Sequence, residues 1–462
     1  MSSEFYEPTF EEIKAPVKSA FAMGPFGSRI KAENFVSEGV PIIKGGNLNG
    51  DLDSSSFDFL TPEKATELST SIARQLDLVI THRGTLGQVG IIPANSRYPE
   101  YIVSQSQLKL SFDRSKVNPY FIYYFLRSSV GQSRLLANTS QVGVPAIAQA
   151  LTSIRNIKVP LPSLKEQNNI VGMLRLLDDR ITLIRETNAT LETIAQAMFK
   201  SWFVDFDPVH AKQQGRVPEG MDEATASLFP DSFEESELGL VPKGWRLTPF
   251  GELLCHTVGG DWGGDVADEK NDTQVAIIRG TDIPDLHAGA KNRVPIRWTS
   301  QKKLASRKLE DGDIVLEVSG GSKDQPTGRA LYLTDVLLGQ FDCPVEPASF
   351  CRLLRPNTKN IGLLLAQHLT YIYDQGKTWE YQNQSTGISN FQTVHFLKTE
   401  LVALPSEDVL EDFVNLVKPM VDRAHLTQMQ QLGELRDTLL HRLISGQLRL
   451  PDAEAVLKEA TA

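Results

Sequence analysis

The sequence predicts an α+β chain assembled twice over: two α/β domains alternate with two long helices that pair antiparallel as a coiled coil. Three observations carry this. Short motifs of the first half return in the same order about 235 positions later. Each half opens with β-rich runs punctuated by glycine turns. Each half then closes on a long amphipathic stretch introduced by Leu-Pro.

The repeat sets the elements in order. Pro41-Ile42-Ile43-Lys44-Gly45 returns as Ala276-Ile277-Ile278-Arg279-Gly280, and Asp77-Leu78-Val79-Ile80 returns as Asp313-Ile314-Val315-Leu316. A glycine-containing loop follows the second motif both times, His82–Gly87 and Ser319–Lys323. Asn118-Pro119-Tyr120 and Ile361-Gly362-Leu363 open apolar helices. Asn138–Gly143 matches Asn383–Gly387, and Leu161-Pro162 matches Leu404-Pro405. Two copies in one chain give an internal pseudo-twofold repeat with two equivalent faces. Within the first copy, Ile30–Val40 and Tyr101–Phe112 read as β-rich runs.

The stretch after Leu161-Pro162 differs in kind. Ile170, Leu174, Leu177, Ile181, Ile184, Asn188, Leu191, Ala195, Met198 and Trp202 follow at alternating steps of four and three, a heptad seam. Asn188 is polar on that seam, where it fixes register at some cost in stability. The partner stretch carries Phe413, Val417, Met420 and Ala424, then Leu432, Leu435 and Leu439 after a step of eight. That extra residue interrupts the register, and Pro419 is expected to kink the helix or set its first turns apart. The boundaries are therefore domains at 1–160 and 244–403, long helices at 161–207 and 404–450, and a tail at 451–462. Residues 208–243, with Gly215, Pro218, Gly220 and the run Glu234-Glu235-Ser236-Glu237, have the composition of a linker. Pro242-Lys243-Gly244-Trp245 marks the start of the second domain.

With 462 residues, 41% hydrophobic and 23% charged, the chain has the make-up of an ordinary soluble protein of more than one domain. No run approaches the roughly 20 apolar residues of a membrane span, and Met1 to Glu7 lacks the basic and apolar regions of a secretory signal. Cys255, Cys343 and Cys351 make no Cys-x-x-Cys pair, as expected of reduced thiols in a cytoplasmic protein. The net charge of −10 argues against wrapping nucleic acid by charge alone. Residues 1–160 nevertheless hold 16 Lys and Arg against 14 Asp and Glu, so the acidity lies beyond them.

Catalytic signatures are missing. Asn118-Pro119-Tyr120 is one proline short of an adenine-methyltransferase motif, and an Asn cap with proline in the first turn accounts for it. There is no phosphate-binding Gly-x-x-x-x-Gly-Lys-Ser/Thr loop, and Gly84, Gly87 and Gly90 have the wrong spacing for a dinucleotide fingerprint. Asp313 and Glu317 begin a nuclease-like pattern, but Ser319 stands where its lysine belongs. Asp205 and Asp207 are read as ending the helix beside Pro208, and the eight histidines form no zinc-ligand spacing.

The order of domain, Leu161-Pro162 helix with Gln167, second domain and Leu404-Pro405 helix resembles the specificity subunits of type I restriction–modification systems. The run from Leu191 to Pro208 (Leu-Glu-Thr-Ile-Ala-Gln-Ala-Met-Phe-Lys-Ser-Trp-Phe-Val-Asp-Phe-Asp-Pro) carries the resemblance, as does the ending from Leu435 to Leu448. It implies two target-recognition domains, each reading half of a split double-stranded DNA target, with the helices setting the gap. It further implies docking of two methyltransferase subunits and of motor–nuclease subunits. No cofactor is expected on this chain; S-adenosylmethionine, ATP and Mg belong to the partners. The seam from Ile170 to Trp202 would span roughly 48 Å, more than one ~34–36 Å turn of B-DNA. Leu174, Leu177, Ile181, Ile184, Asn188, Leu191, Phe413, Val417, Leu435 and Leu439 are the helix-pairing residues.

Reading DNA takes Lys and Arg for phosphates, and Arg, Asn, Gln, Ser or Thr for base edges. The first domain offers Arg29, Lys31, Lys44 and Arg83 with the polar loop Asn138, Thr139, Ser140 and Gln141. The second offers Arg279, Lys323 and Arg329 with Asn383, Gln384, Ser385 and Thr386. Against this stands the acidic loop Gly259–Asp265, whose Asp261 and Asp265 must accept base amino groups or stand clear of phosphate. Two other readings stay open at this level: a coiled-coil scaffold without sequence readout, and a stand-alone DNA-modifying enzyme.

Overall fold

The computed structural model describes residues 6–461 except 27–28, 50–51, 53–55, 141–142, 237–238, 292, 323–324, 386–387 and 445. The chain divides into two compact units, Met1–Arg180 with Leu432–Ala462, and Ile181–Gln431.

In the first unit a four-stranded antiparallel sheet runs in the order Phe21–Met23, Gln107–Leu110, Leu78–Thr81, Val89–Ile91. A second sheet places Val40–Ile43 parallel to Glu100–Val103 and antiparallel to Asp58–Leu60. The other unit has the same order in its own strands: Leu254–Gly259, Cys351–Pro356, Ile314–Glu317, Ala330–Tyr332. There too a parallel pair, Thr273–Ile278 with Val345–Pro347, lies beside an antiparallel neighbour, Ile296–Thr299. The central strands Leu78–Thr81 and Ile314–Glu317 are buried throughout; the first three residues of each are apolar, and the polar ends Thr81 and Glu317 are buried with them.

Two β-rich runs fold with less strand than expected. Ile30–Val40 holds a 3-10 turn, Ala32–Asn34, and a two-residue strand, Phe35–Val36. The Lys31 backbone N–H donates to Asn34 Oδ1 (2.8 Å), a local bond that competes with a ladder. Tyr101–Phe112 is cut by Ser104-Gln105-Ser106, where Gln107 N–H turns back to Ser104 O (3.0 Å).

The first long helix is Leu164–Phe203, 40 residues. Ser163 and Glu166 cap it reciprocally, Ser163 Oγ donating to the carboxylate at 2.7 Å. Gln167 is buried, donates to Pro162 O and accepts the Asn118 N–H, both at 2.9 Å. Asn118 in turn caps Pro119–Arg127 by accepting the Tyr120 N–H (2.9 Å), so the Asn-Pro-Tyr run is a helix start. The helix ends where Phe206 adopts a left-handed φ of 54°, and Asp207 with Pro208 opens the next helix, Asp207–Gln213. Asp205 bonds Lys200.

Along the seam Leu174, Leu177, Asn188 and Ala195 are buried, while Ile181, Ile184 and Leu191 are half-buried. Asn188 Oδ1 is buried with no partner among the described residues. On the facing stretches Phe413, Val417 and Leu439 are buried and Leu435 half-buried. In the first unit Asp178 accepts from Arg436 and from Tyr124 OH, at 2.7 and 2.6 Å. In the other, Phe413 packs against Phe203 and Trp202 with ring centroids 4.8 and 5.7 Å apart.

Three boundary expectations need correction. The second long helix is two, Glu407–Ala424 and Gln428–Ile444, and the break falls at His425 rather than Pro419. His425 is buried, its Nδ1 2.8 Å from Thr334 Oγ1, and its carbonyl accepts from Gln340; this anchor ends the helix. The step of eight in the seam spans the same break. Residues 208–243 are folded: Asp207–Gln213, Glu223–Leu228 and the hairpin Phe233–Ser236 with Gly239–Pro242. Val209 and Phe229 are buried there in one cluster with Trp202 and Trp245. The tail is the helix Leu450–Thr461. Among the described residues no helix is long and apolar enough to cross a membrane.

Candidate nucleic-acid interface

The sheets of each unit leave a cleft at the same strand ends. In the first unit it is about 640 Å³, with Lys44, Thr81, Arg83, Thr85, Gln88 and Gln105 on its wall. In the second it is about 910 Å³, with Trp262, Arg279, Arg293, Gln325, Arg329 and Phe350. The loops around them are built alike. His82 N–H donates to Ser106 O (3.0 Å) in one, and Val318 N–H donates to Phe350 O (2.9 Å) in the other. Beside each, a polar hairpin joins the strand end: Thr139–Ser140 pairs Ala146–Ile147 next to Arg83, and Gln382–Ser385 pairs Ile388–Phe391 next to Ser319–Gly320.

The first cleft has a fixed polar floor. Gln107 Nε2 donates to Thr81 Oγ1 (3.2 Å), which donates to Gln88 Oε1 (2.8 Å), and Gln88 Nε2 donates to Gly45 O (3.1 Å). A Cβ at Gly45 would stand 3.1 Å from Gln88 Oε1 and 3.4 Å from Gln107 Nε2, so a larger residue there would crowd the Gln88 amide. His82 lies against Gln105 O (3.1 Å), and burial holds its ring below the ordinary histidine range. Above this floor Arg83 is exposed, and among the described residues no carboxylate pairs with it. Lys44 bonds Asp58 and lies 5.7 Å from the Phe35 ring. Arg29 and Lys31 are exposed beside the cleft wall, Arg29 reaching Glu67 O at 3.4 Å and Lys31 meeting Glu33 at 3.8 Å. Asn138 and Ser140 are exposed, Thr139 is half-buried, and Gln141 lies outside the described residues.

The second cleft is wired differently. Arg279 binds buried Asp282 through Nε and Nη2, at 2.9 and 2.7 Å. Arg329 grips buried Glu317 in the same two-pronged way, Nε at 3.0 Å. Both guanidinium groups, expected from sequence to face DNA, are thus committed to internal carboxylates. Asp313 is likewise taken by Arg355, at 2.8 and 2.7 Å, so the nuclease-like Asp313/Glu317 pattern is a pair of structural ion pairs. Among the described residues no His, Cys, Asp and Glu group could hold a metal ion. The acidic loop is neutralised: Lys303 Nζ is 2.9 Å from Asp261, Arg297 bonds Asp265, and Arg297 lies 4.6 Å from the Trp262 ring. Asn383 is exposed, the side chains of Gln384 and Ser385 are not described, and Lys323 and Thr386 lie outside the described residues.

Sequence reasoning missed Thr85, Gln88, Gln105 and Ser106 on the first wall, and Trp262 and Phe350 on the second. The polar Ser104–Gln107 run inside an apolar stretch was the available signal for the first set. Beneath the second cleft's loop lies Glu346, buried, with neither carboxylate oxygen partnered among the described residues. Burial, then the charge of Asp261, pushes its carboxyl up to about 7 from 4.5. The folded state therefore holds this proton more tightly than the unfolded chain, so stability falls as pH rises from about 4.5 to 7 and is level above. Glu346→Gln is expected to stabilise by on the order of 3 kcal/mol at pH 8 and negligibly at pH 4. Equal melting temperatures of the two proteins at pH 8 would overturn this.

The description "Type I restriction modification DNA specificity domain" fits residues 26–193. The type I restriction enzyme HindI specificity subunit of Haemophilus influenzae is 25% identical over 414 residues, 78% of this chain and 85% of that protein. The MjaIX specificity subunit of Methanocaldococcus jannaschii is 20% identical over 405 residues, 85% of this chain and 82% of that one. The crystal structure of the type I restriction–modification S subunit from M. genitalium shares the fold with a TM-score of 0.52. It is 16% identical and covers 95% of this chain and 96% of that one.

Proposed function

Because the chain belongs to the type I restriction–modification specificity-subunit family, we propose that it reads a bipartite double-stranded DNA target, one half with each cleft. It is a non-catalytic subunit; the relatives it matches are specificity subunits. In this reading its long helices set the gap between the half-sites. They also dock two methyltransferase subunits, which motor–nuclease subunits join. S-adenosylmethionine, ATP and Mg bind those partners and not this chain.

The observation that carries the proposal is the pair of clefts at the same strand ends of the same sheet order, each flanked by a polar hairpin. A single continuous site needs one such cleft; a split target needs two. The pairings Asp178–Arg436 and Trp202–Phe413, each within its own unit, support an antiparallel course for the helices. Asn188 on the seam supports a fixed register, since a buried amide disfavours slippage.

The test is single-molecule sequencing of DNA from a host co-expressing the chain with its neighbouring methyltransferase subunit. N6-methyladenine is expected in a two-part motif with a constant gap. Deleting a few residues around Asn188 is expected to change the gap and leave both half-sites as they were. One continuous motif, or a motif indifferent to mutation of both polar hairpins, sinks the split-reader model and favours the scaffold.

A further inference from the structure

The matched loops allow the two clefts to be compared position by position. The register Leu78↔Leu110 in one sheet corresponds to Ile314↔Leu354 in the other. The backbone bonds His82 N–H to Ser106 O and Val318 N–H to Phe350 O fix the same alignment. Ser319 therefore stands where Arg83 stands, and Phe350 stands where Ser106 stands.

The chemistry at these places diverges. Of the described cations lining either cleft, Arg83 alone has no acidic partner among the described residues. Lys44 bonds Asp58 in its own cleft; Arg279, Arg329 and Arg293 pair with Asp282, Glu317 and Asp285 in the other. The backbone of Arg83 is held from both sides, by Gly84 N–H to Pro145 O (2.8 Å) and Ile147 N–H to His82 O (2.9 Å). A free guanidinium on a rigid mount forms a bidentate bond at little ordering cost, and its best base partner is the O6/N7 edge of guanine. In the second cleft the place of Arg83 is taken by Ser319, and across the same backbone bond the place of Ser106 presents a phenyl ring. Phe350 is 67% exposed, its carbonyl pinned by the N–H groups of Val318 and Ser319. An aromatic edge held toward solvent at that place has one ready partner in the major groove, the thymine C5-methyl.

We propose that Arg83 reads a guanine in the half-site of the first cleft and that Phe350 reads a thymine methyl group in the half-site of the second. This rests on the two-cleft reading above and assigns it unequal chemistry: hydrogen bonding on one side, apolar contact on the other.

The wild-type motif is first established by sequencing as above; absence of any two-part motif defeats the functional proposal itself. With the motif in hand, competition binding uses the chain assembled with its methyltransferase subunits on synthetic duplexes. Replacing the critical guanine by 7-deazaguanine is expected to weaken wild-type binding roughly five- to 150-fold and Arg83→Gln binding hardly at all. Replacing thymine by uracil in the other half-site is expected to weaken wild-type binding by several-fold, and Phe350→Ser to remove that sensitivity. Both side chains are exposed, so neither variant threatens the fold, and binding to the unaltered half-site serves as the check. The proposal is overturned if the two-part motif stands but Arg83→Gln keeps the deazaguanine penalty. It is equally overturned if uracil is tolerated by wild type, as it would be were Phe350 a wedge between base steps.

Discussion

Phe413→Ala is expected to lower the unfolding free energy of the Ile181–Gln431 unit by about 4 kcal/mol. The side chain is fully buried, with Phe203 edge-on at 4.8 Å and Trp202 at 5.7 Å. The cost combines lost transfer energy, an unfilled cavity and two aromatic contacts worth roughly 0.5–1.5 kcal/mol each. Phe413→Leu retains most of the volume and should cost less than half as much. All five tryptophans, Trp202, Trp245, Trp262, Trp298 and Trp379, lie in this unit, so urea unfolding followed by their fluorescence reports on it. A midpoint unchanged in the alanine variant would show that Phe413 is not a keystone of this cluster.

The second large effect concerns Glu400, buried at the junction of three elements. Its carboxylate takes His368 Nε2 (2.8 Å), Lys377 Nζ (2.7 Å) and Tyr381 OH (2.6 Å). Burial pushes the carboxyl up, but the hydrogen bonds from His368, Lys377 and Tyr381 outweigh it and hold the group down at about 2. The folded pKa is thus below the ordinary 4.5. The stabilisation is present above about 4.5 and is lost as pH falls toward 2. Glu400→Leu strands a tyrosine hydroxyl and an imidazole in the interior, at a cost of roughly 3–5 kcal/mol at pH 7. Glu400→Gln, which keeps the shape, should have a stability curve flatter than wild type between pH 5 and 2. Parallel curves would mean that the carboxylate is not ionised in the fold. The network matters for the site because Tyr381 immediately precedes the polar hairpin Gln382–Ser385.

How far the sequence could be read follows from where each determinant lies. The long first helix and the Asn118 cap were legible because their signals are local: a 3.5-residue period, and an asparagine followed at once by proline. The strand order of the two units was legible only as an ordered set of similar motifs. The folded 208–243 segment was not, since its burial depends on single apolar residues, Val209 and Phe229, whose partners Trp202, Trp245 and Phe413 are recruited from other elements. Pro419 misled for a similar reason. The helix tolerates it, and the break is imposed by Thr334 and Gln340 holding His425 from 85 residues or more away. At the clefts, Arg83, Arg279 and Arg329 were indistinguishable as lone cations. Only strand pairing brings Glu317 to Arg329 and leaves Arg83 without a carboxylate.

The first unit is made from two stretches of chain, and this has a consequence for how the protein is born. Arg436 reaches Asp178 across 258 residues of sequence, and His441 lies 3.0 Å from Ser129. At a synthesis rate of ~5–20 residues per second, the ribosome needs roughly 10–50 s to deliver the closing helix after Asp178 has emerged. Through that interval Asp178 awaits Arg436 and Ser129 awaits His441, while the Ile181–Gln431 unit is completed first. The nascent chain finishes its middle before its beginning, and its earliest domain is the last to close.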